Sequence, residues 1–143
     1  MSNVTSVMTA SPASCQRETP LQQVAQMMID HDCGQIPVVD ASNMPIGVVT
    51  DRDIAVRIIA PGKDAARATA GDAMSTPCRT VTESTSLKDC VCLMEAEQVR
   101  RIPVVDASGK LAGIVSIADI ALAGKDAATA EVVKEVSEPK QAH

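Results

Sequence analysis

The chain has 143 residues, of which 45% are hydrophobic and 22% are charged, and its formal net charge is -5. This length supports one compact domain with a real core, and the acidic balance argues against a surface that holds nucleic acid. Phe, Tyr and Trp are absent, so aliphatic side chains must pack the core and no aromatic ring can stack on a base.

The N-terminus and the cysteines predict a cytoplasmic protein without a membrane partner. The first residues do not resemble a secretory signal, and no apolar run approaches the roughly 20 residues that a membrane-spanning helix requires. The five cysteines are odd in number and lack the paired spacing of a disulfide framework. We therefore expect them to be reduced and mostly buried.

An amphipathic helix is the first element that the sequence predicts. Leu21, Val24 and the apolar residues after them recur at helical spacing over residues 21–32. Thr19 is the predicted N-cap of this helix, with Pro20 as its first helical residue.

Two short strands and a second helix are predicted to follow. Beta-branched runs at residues 36–39 and 46–49 flank a polar turn, which is typical of a hairpin. A helix is then predicted from Asp51 to about Ile59, where Pro61-Gly62 ends it.

The same unit is written a second time. Ile-Pro-Val-Val-Asp at residues 36–40 recurs at residues 102–106, an offset of 66 positions that also carries Asp53 onto Asp119. The second copy predicts a helix at 87–98 with Ser86 as its N-cap, strands at 102–105 and 111–115, and a helix at 117–123 that ends at Gly124.

The duplication explains how so small a unit folds. About 50 residues with a small sheet and two helices cannot bury both faces alone, whereas two copies packed sheet against sheet can. We expect an α/β (α+β) fold with pseudo-two-fold symmetry and two equivalent clefts. The predicted boundaries are repeat 1 at 4–60, a linker at 61–73, repeat 2 at 74–123 and a tail at 124–143.

Each repeat places a hydroxyl and a carboxylate at the start of its closing helix, as Thr50 and Asp53 or as Ser116 and Asp119. Such pairs commonly form a capping box. The same groups suit a nucleoside, because a carboxylate accepts hydrogen bonds from vicinal ribose hydroxyls while the hydroxyl and the free amides meet a phosphate. Spacing alone leaves both interpretations open.

Three motifs together resemble the cystathionine-beta-synthase (CBS) repeat: Met with a nearby Pro before the first helix, Ile-Pro-Val-Val-Asp, and Gly-h-h-Thr/Ser-x-x-Asp-Ile, where h is hydrophobic. The resemblance covers about residues 4–123, and residues 47–54 are similar to stand-alone bacterial CBS-pair proteins. It implies a disc-like homodimer whose clefts bind AMP, ADP, ATP, NAD or S-adenosylmethionine as a regulatory ligand. It also implies a module that is not an enzyme and acts on an unknown effector protein in trans.

The resemblance further assigns ligand contacts to both repeats. Besides the two hydroxyl and carboxylate pairs, the implied contacts are Met74, Thr76, Pro77, Cys78 and Arg79 for the site of Thr50; Met8, Ser11, Pro12 and Ala13 for the site of Ser116; and, beside the strands, Cys33, Gly34, Gln35, Ile36, Pro37, Arg100, Arg101, Ile102 and Pro103.

Phosphate binding is expected to differ between the two sites. Arg100 and Arg101 are the residues expected to hold phosphate oxygens, and the phosphates of both ligands are expected to contact one of them. The first repeat has Gly34-Gln35 instead, which predicts unequal affinities. Arg52 is a further candidate near a phosphate or a dimer neighbour.

Two other functions stay open. The sequence has no phosphate-binding loop, dinucleotide fingerprint or zinc-protease motif, so nucleotide hydrolysis is not expected. A ligand-independent dimeric scaffold would need the hydroxyl and carboxylate pairs only as helix caps. A zinc or redox sensor would use Cys33 with its neighbours His31 and Asp32.

Overall fold

The computed structural model describes residues 3–123, which divide into two compact units. The repeat-1 unit consists of residues 13–79 and 109–111, and the repeat-2 unit of residues 3–12, 80–108 and 112–123. The predicted stop at Gly124 and the predicted tail lie outside the described residues.

The helices and strands confirm the predicted mixed α/β architecture. A short 3-10 helix at Val4–Ser6 comes first. It is followed by β1 (Thr9–Ala10), α1 (Leu21–Asp30), β2 (Gln35–Val39), β3 (Pro45–Thr50), α2 (Asp51–Asp53), a π-helix (Ile54–Ile59), α3 (Ala70–Ala73), β4 (Val81–Thr82), α4 (Leu87–Glu97), β5 (Arg101–Val105), β6 (Leu111–Ser116) and α5 (Ile117–Ala123).

The repeat-1 unit is built around the hairpin of β2 and β3. The two strands pair antiparallel, with Gln35 opposite Thr50. Single bridges widen this sheet on both sides, because Cys15 lies parallel to Val38 and Ser75 lies antiparallel to Val48. Its core contains Cys15, Leu21, Val24, Ile36, Val38, Val49, Ile58, Ala68, Ala70, Ala73 and Met74.

The repeat-2 unit has the same arrangement with longer pairings. Its sheet runs in the order β1-β6-β5-β4, with β1 antiparallel to β6 and β4 parallel to β5. The 66-residue offset carries the bridge of Ser75 with Val48 onto the pairing of Thr9 with Ile114. The segment that precedes one repeat's first helix therefore completes the sheet of the other repeat.

The ends of the first helices were predicted with mixed success. Ser86 caps α4, as expected, by accepting a hydrogen bond from the Asp89 N–H at 3.0 Å. The prediction that Thr19 caps α1 was wrong, because α1 begins after Pro20 without a side-chain cap. The Thr19 hydroxyl instead accepts from the Gln16 N–H at 2.9 Å and so stabilises the preceding turn.

The second helix of repeat 1 begins as predicted and then widens. After α2 the backbone adopts π-helical hydrogen bonding over Ile54–Ile59, so that the Ala60 N–H donates to the Ala55 carbonyl at 2.9 Å. Its counterpart α5 is α-helical over the residues that the structure describes, Ile117–Ala123. Among the helices of residues 3–123, none combines the length and the apolar character needed to cross a bilayer.

Candidate functional site

The capping box of the first repeat is formed at the end of β3. Thr50 has an extended backbone, and its Oγ1 accepts a hydrogen bond from the Asp53 N–H at 3.0 Å. The Asp53 carboxylate reaches back, and its Oδ2 accepts from the Thr50 N–H at 3.0 Å. Strand and helix are thereby joined at a fixed angle, which holds both side chains at one end of the sheet.

A second set of contacts reaches the other carboxylate oxygen of Asp53. The Ser75 hydroxyl donates to Oδ1 at 3.0 Å, and Arg57 Nε lies 3.8 Å from the same atom. Arg57 also donates from Nη1 to the Met74 carbonyl at 2.9 Å. The Asp53 side chain is only 13% exposed. Asp53 is therefore held at both oxygens by groups of its own unit.

Ser75 reaches Asp53 because the strand beside it has no side chain at Gly47. A Cβ atom at Gly47 would lie 2.7 Å from the Ser75 carbonyl oxygen and 3.3 Å from Met74 Sδ. The backbones of Ser75 and Val48 exchange hydrogen bonds of 2.8 and 3.1 Å. The structure thus places the predicted Met74 segment against β3, on the unit that contains Thr50 and Asp53.

Ser75 and Arg57 were not among the predicted site residues. Arg57 follows Asp53 by four residues, the spacing of neighbours on one helix face, so its contact had a visible signal. Ser75 directly follows Met74, which the resemblance had named. Of the residues after it, Cys78 is half-buried and its Sγ donates to the Arg79 carbonyl at 3.8 Å. Burial raises the pKa of the Cys78 thiol from 9.0 to about 11.

The start of β2 contributes a buried polar group. Gln35 stands opposite Thr50 in the hairpin, and directly opposed residues have their side chains on the same face of a sheet. Gln35 is 9% exposed, and its Oε1 has no hydrogen-bond partner among the described residues. A buried acceptor of this kind favours a ligand that brings a donor.

The neighbours of Gln35 fix the position of this strand end. The Asp51 N–H donates to the Gly34 carbonyl at 3.0 Å, and the Cys33 thiol donates to the Gln35 carbonyl at 3.6 Å. Ile36 and Pro37 are fully buried within β2. They support the strand end from within.

The second repeat repeats the capping box with fewer contacts. The Asp119 N–H donates to Ser116 Oγ at 3.0 Å, and the Ser116 N–H donates to Asp119 Oδ2 at 3.2 Å. Within residues 3–123, Asp119 Oδ1 accepts no hydrogen bond and no cation pairs with it. The positions that match Ser75 and Arg57 are Thr9 and Ala123. The two carboxylates therefore differ in their surroundings.

The two predicted arginines lie at the start of β5. The Arg100 side chain is exposed, and its carbonyl accepts from the Ile117 N–H at 2.9 Å. Arg101 is half-buried and occupies the position that Gln35 has in the first repeat. In the part of the chain that the structure describes, neither guanidinium forms an ion pair. The next two residues, Ile102 and Pro103, are fully buried.

The remaining predicted residues divide between the two units. Met8 lies against β6, because its Sδ would meet a Cβ atom added at Gly113. Ala13 instead packs against the core of the repeat-1 unit, so its own unit is not that of Ser116. Arg52 is exposed, and its backbone N–H donates to Asp51 Oδ1 at 2.8 Å.

A third box shows what capping geometry means by itself. Before α3, the Asp72 carboxylate accepts from the Thr69 N–H at 2.9 Å, although nothing in the sequence marks this pair as a site. The box alone is therefore a poor indicator of a ligand. What distinguishes Thr50 and Asp53 is the converging Ser75 hydroxyl, the Arg57 guanidinium and the buried Gln35 acceptor.

The five cysteines differ in burial, and Cys33 is the one named in the alternative of a zinc or redox sensor. Cys15 and Cys90 are buried, Cys33 and Cys78 are intermediate and Cys92 is exposed. Across residues 3–123, no three side chains of His, Cys, Asp or Glu are grouped closely enough to hold a metal ion.

Comparison with known proteins points to one family. A family model described as CBS domain matches residues 4–60 and 70–126. Hypoxic response protein 1 of Mycobacterium tuberculosis is 33% identical over 139 residues, covering 97% of this chain and 96% of that protein. MK0525 of Methanopyrus kandleri, described as uncharacterized, is 38% identical over 114 residues, and the match covers 80% of this chain and 56% of that protein.

Two solved structures are also similar to this chain. The crystal structure of hypoxic response protein I with two coordinated zinc ions has a TM-score of 0.78 and 34% identity, covering 85% of this chain and 98% of that one. The crystal structure of CBSX2 in complex with AMP has a TM-score of 0.74 and 26% identity, covering 86% of this chain and 96% of that one. CBSX2 is a protein of Arabidopsis thaliana.

Proposed function

The chain belongs to the CBS domain family, and on that basis we propose that it is a regulatory module that binds adenosine ligands in both repeats. The observation that carries the proposal is the repeated hydroxyl and carboxylate pair, Thr50 with Asp53 and Ser116 with Asp119. In each repeat a methionine-containing segment lies alongside the adjoining strand. AMP bound to the similar CBSX2 supports the choice of ligand class.

The proposed ribose contacts follow from the hydrogen-bonding capacity of the carboxylates. Each carboxylate oxygen offers about two acceptor positions, and the capping box uses one position on Oδ2. Asp53 and Asp119 therefore keep acceptor positions for the two vicinal hydroxyls of a ribose. A ligand donor near Thr50 would also satisfy the buried Gln35 acceptor.

Arg100 and Arg101 are the proposed phosphate-binding residues. A guanidinium without an ion-pair partner in the described chain has donors to spare, and it matches phosphate oxygens in a bidentate geometry. AMP, ADP, ATP, NAD and S-adenosylmethionine are all candidates. The homodimer, the effector protein and the cytoplasmic location belong to the same proposal and rest on the family rather than on described contacts.

Calorimetric titration with AMP, ATP, NAD and S-adenosylmethionine tests this function. We expect two binding events in the wild type, the loss of one event in Asp53→Ala or Asp119→Ala, and the loss of both in the double variant. Asp72→Ala is the matched control, because it removes the carboxylate of the third box. We expect Asp72→Ala to keep both binding events, because it removes a helix cap but no proposed ligand contact.

The outcomes distinguish the proposal from a plain scaffold. A wild-type protein that binds none of the four compounds, and whose melting temperature they leave unchanged, would be a ligand-independent dimeric scaffold. Equal loss of binding in Asp72→Ala would indicate that the boxes act only through folding.

A zinc or redox role is the second candidate, because the structure of hypoxic response protein I is described with two coordinated zinc ions. No group of three possible ligands occurs in residues 3–123, so a site using Cys33 would need a ligand from the remaining residues or from a second copy. Elemental analysis of wild type and Cys33→Ser tests this role. Stoichiometric zinc that the variant loses would support it, and wild type without zinc would count against it.

A further inference from the structure

We propose that Arg57 and Ser75 are positioning residues that orient Asp53 toward the hydroxyls of a ribose, a device that the second repeat does not share. This inference rests on the proposed function, since it concerns how the repeat-1 site holds its ligand. It goes beyond the capping box, because neither residue belongs to that box.

The Asp53 carboxylate has a fixed orientation. Thr50 N–H holds Oδ2 at 3.0 Å and the Ser75 hydroxyl holds Oδ1 at 3.0 Å, so rotation of the Asp53 carboxylate would break a hydrogen bond at either oxygen. Each oxygen still has an acceptor position unused by these two bonds. The carboxylate is therefore fixed with both oxygens able to accept from a ligand.

The two residues that hold the Asp53 carboxylate, Ser75 and Arg57, are themselves fixed by other contacts. Ser75 is itself fixed by two backbone hydrogen bonds to Val48. Arg57 bridges Asp53 Oδ1 and the Met74 carbonyl, which ties the helix after Asp53 to the segment containing Ser75. The Arg57 side chain is 49% exposed, and a half-exposed ion pair contributes little to stability by itself. Its bridging geometry is the better explanation of its place here.

Asp119 in the second repeat lacks both of these contacts within the described chain. Thr9 and Ala123 occupy the matching positions, and Asp119 Oδ1 accepts no hydrogen bond within the described chain. The helix also differs, because Arg57 lies in a π-helical turn whereas Ala123 is the last described residue of a regular α-helix. Such π-helical turns are rare and frequently occur at functional sites. Within the described chain, Asp119 is therefore held at one carboxylate oxygen, whereas Asp53 is held at both.

The test isolates the repeat-1 site in an Asp119→Ala background and measures AMP affinity by calorimetry. We expect Arg57→Ala to weaken binding by roughly tenfold, the factor that corresponds to ordering about one side chain on binding. Ser75→Ala should weaken it by a similar factor, and Arg57→Lys should recover part of the loss by restoring a cation near Oδ1. Arg67→Ala is the matched control, because Arg67 forms an exposed pair with Asp64 at 3.6 Å.

A change of ligand separates positioning from a merely structural role. One of the two analogues 2′-deoxy-AMP and 3′-deoxy-AMP lacks the ribose hydroxyl that would bind Asp53 Oδ1. If Arg57 acts through Asp53 on the ribose, Arg57→Ala should weaken binding of that analogue by less than about twofold, compared with roughly tenfold for AMP. The same Arg57→Ala change in an Asp53→Ala background should leave the repeat-2 site unchanged.

Three results would overturn the inference: an equal penalty with AMP and both deoxy analogues, an equal effect on both sites, or no effect of Arg57→Ala on AMP. Failure of the proposed function itself is recognisable separately, because wild type would then bind no adenosine compound at all.

Discussion

The side-chain oxygen Oε1 of Gln35 is buried and accepts no hydrogen bond from any described residue, which lowers the stability of the ligand-free protein. Leaving such an acceptor without a partner costs about 1–3 kcal/mol of desolvation. Gln35→Met keeps the length of the side chain and removes the acceptor, so we expect the free energy of unfolding of the ligand-free protein to rise by about 1 kcal/mol. Urea denaturation measures this change.

The matched control for that substitution is Gln23→Met on the exposed side of α1, where little change is expected. Lower stability of Gln35→Met relative to wild type would contradict the prediction, since it would mean that Oε1 finds a partner in the folded protein.

Two buried thiols and one half-buried thiol give the protein an expected sensitivity to alkaline pH. Burial raises the pKa values of Cys15, Cys78 and Cys90 from 9.0 to about 11. Above pH 9 the thiols of the unfolded chain lose their protons while those of the folded chain keep them. The free energy of unfolding is therefore unaffected by these thiols below pH 9, and it falls as the pH rises from 9 to about 11. No tyrosine titrates in the same window.

The measurement is the melting temperature of wild type and Cys90→Ala between pH 8 and 11. The variant should start lower, because a buried side chain is lost, but should decline less steeply. Val24→Ala, which shortens a buried side chain without removing a thiol, should keep the wild-type slope. Parallel slopes for all three proteins would rule out the explanation by buried thiols.

At the level of single residues, the internal repeat predicted the capping pairs, whereas the sequence analysis missed two partners of Asp53. Thr50, Asp53, Ser116 and Asp119 recur at a fixed offset, so their capping geometry could be foreseen. The hydroxyl of Ser75 reaches Asp53 across 22 positions in the chain, and its counterpart is a threonine without that contact. Only the folded chain brings such partners together.

Among the secondary-structure elements, β3 depends on the absence of a side chain at Gly47. Gly47→Ala would place Cβ 2.7 Å from the Ser75 backbone oxygen, which cannot move without breaking its bonds to Val48. We expect a loss of about 1–3 kcal/mol in the free energy of unfolding, the usual cost of overpacking, together with weaker AMP binding at the repeat-1 site. Thermal denaturation and calorimetry measure the two effects.

Gly34→Ala provides the comparison for this effect. Its Cβ would meet only the end of the Asp51 side chain, at 2.9 Å from Oδ2, and that side chain is exposed and able to rotate. Gly34→Ala should therefore cost less than Gly47→Ala. The reverse order would show that the bridge between Ser75 and Val48 is not rigid.

The long elements were predictable and the short ones were not. Helix α4 has a clear hydrophobic period and the hairpin of β2 and β3 has beta-branched runs around a polar turn, and all three elements lie within two residues of their predicted bounds. Strands β1 and β4 have two residues each, too few for any period, and they form because a neighbouring strand offers hydrogen bonds. Helix α3 lies in the predicted linker, and its four residues are also too few to show a period.

For the whole molecule, the proposed homodimer is the feature most open to measurement. Large apolar residues that are 50% or more exposed lie on three helical segments, and we expect these segments to form the dimer interface: Ile29 on α1, Val56 and Ile59 on the π-helix, and Leu122 on α5. We expect wild type to sediment as a dimer and Val56→Glu/Ile59→Glu to sediment as a monomer, because two buried charges oppose association. Analytical ultracentrifugation distinguishes the two states.

Ala66→Glu, which adds a charge at an exposed position outside the helices, should remain dimeric. A monomeric wild type at micromolar concentration would remove the dimer from the proposal, while the adenosine sites would be tested independently of it.

The exchange of short strands between the repeats bears on how such a protein could have arisen. Thr9 completes the sheet that contains β6, and Ser75 bridges to the hairpin of the other repeat. An ancestral gene encoding one repeat would have produced a polypeptide that lacked this strand on its own hairpin. A second copy of the same polypeptide would supply that strand, so two single repeats would associate by exchanging the same short segment.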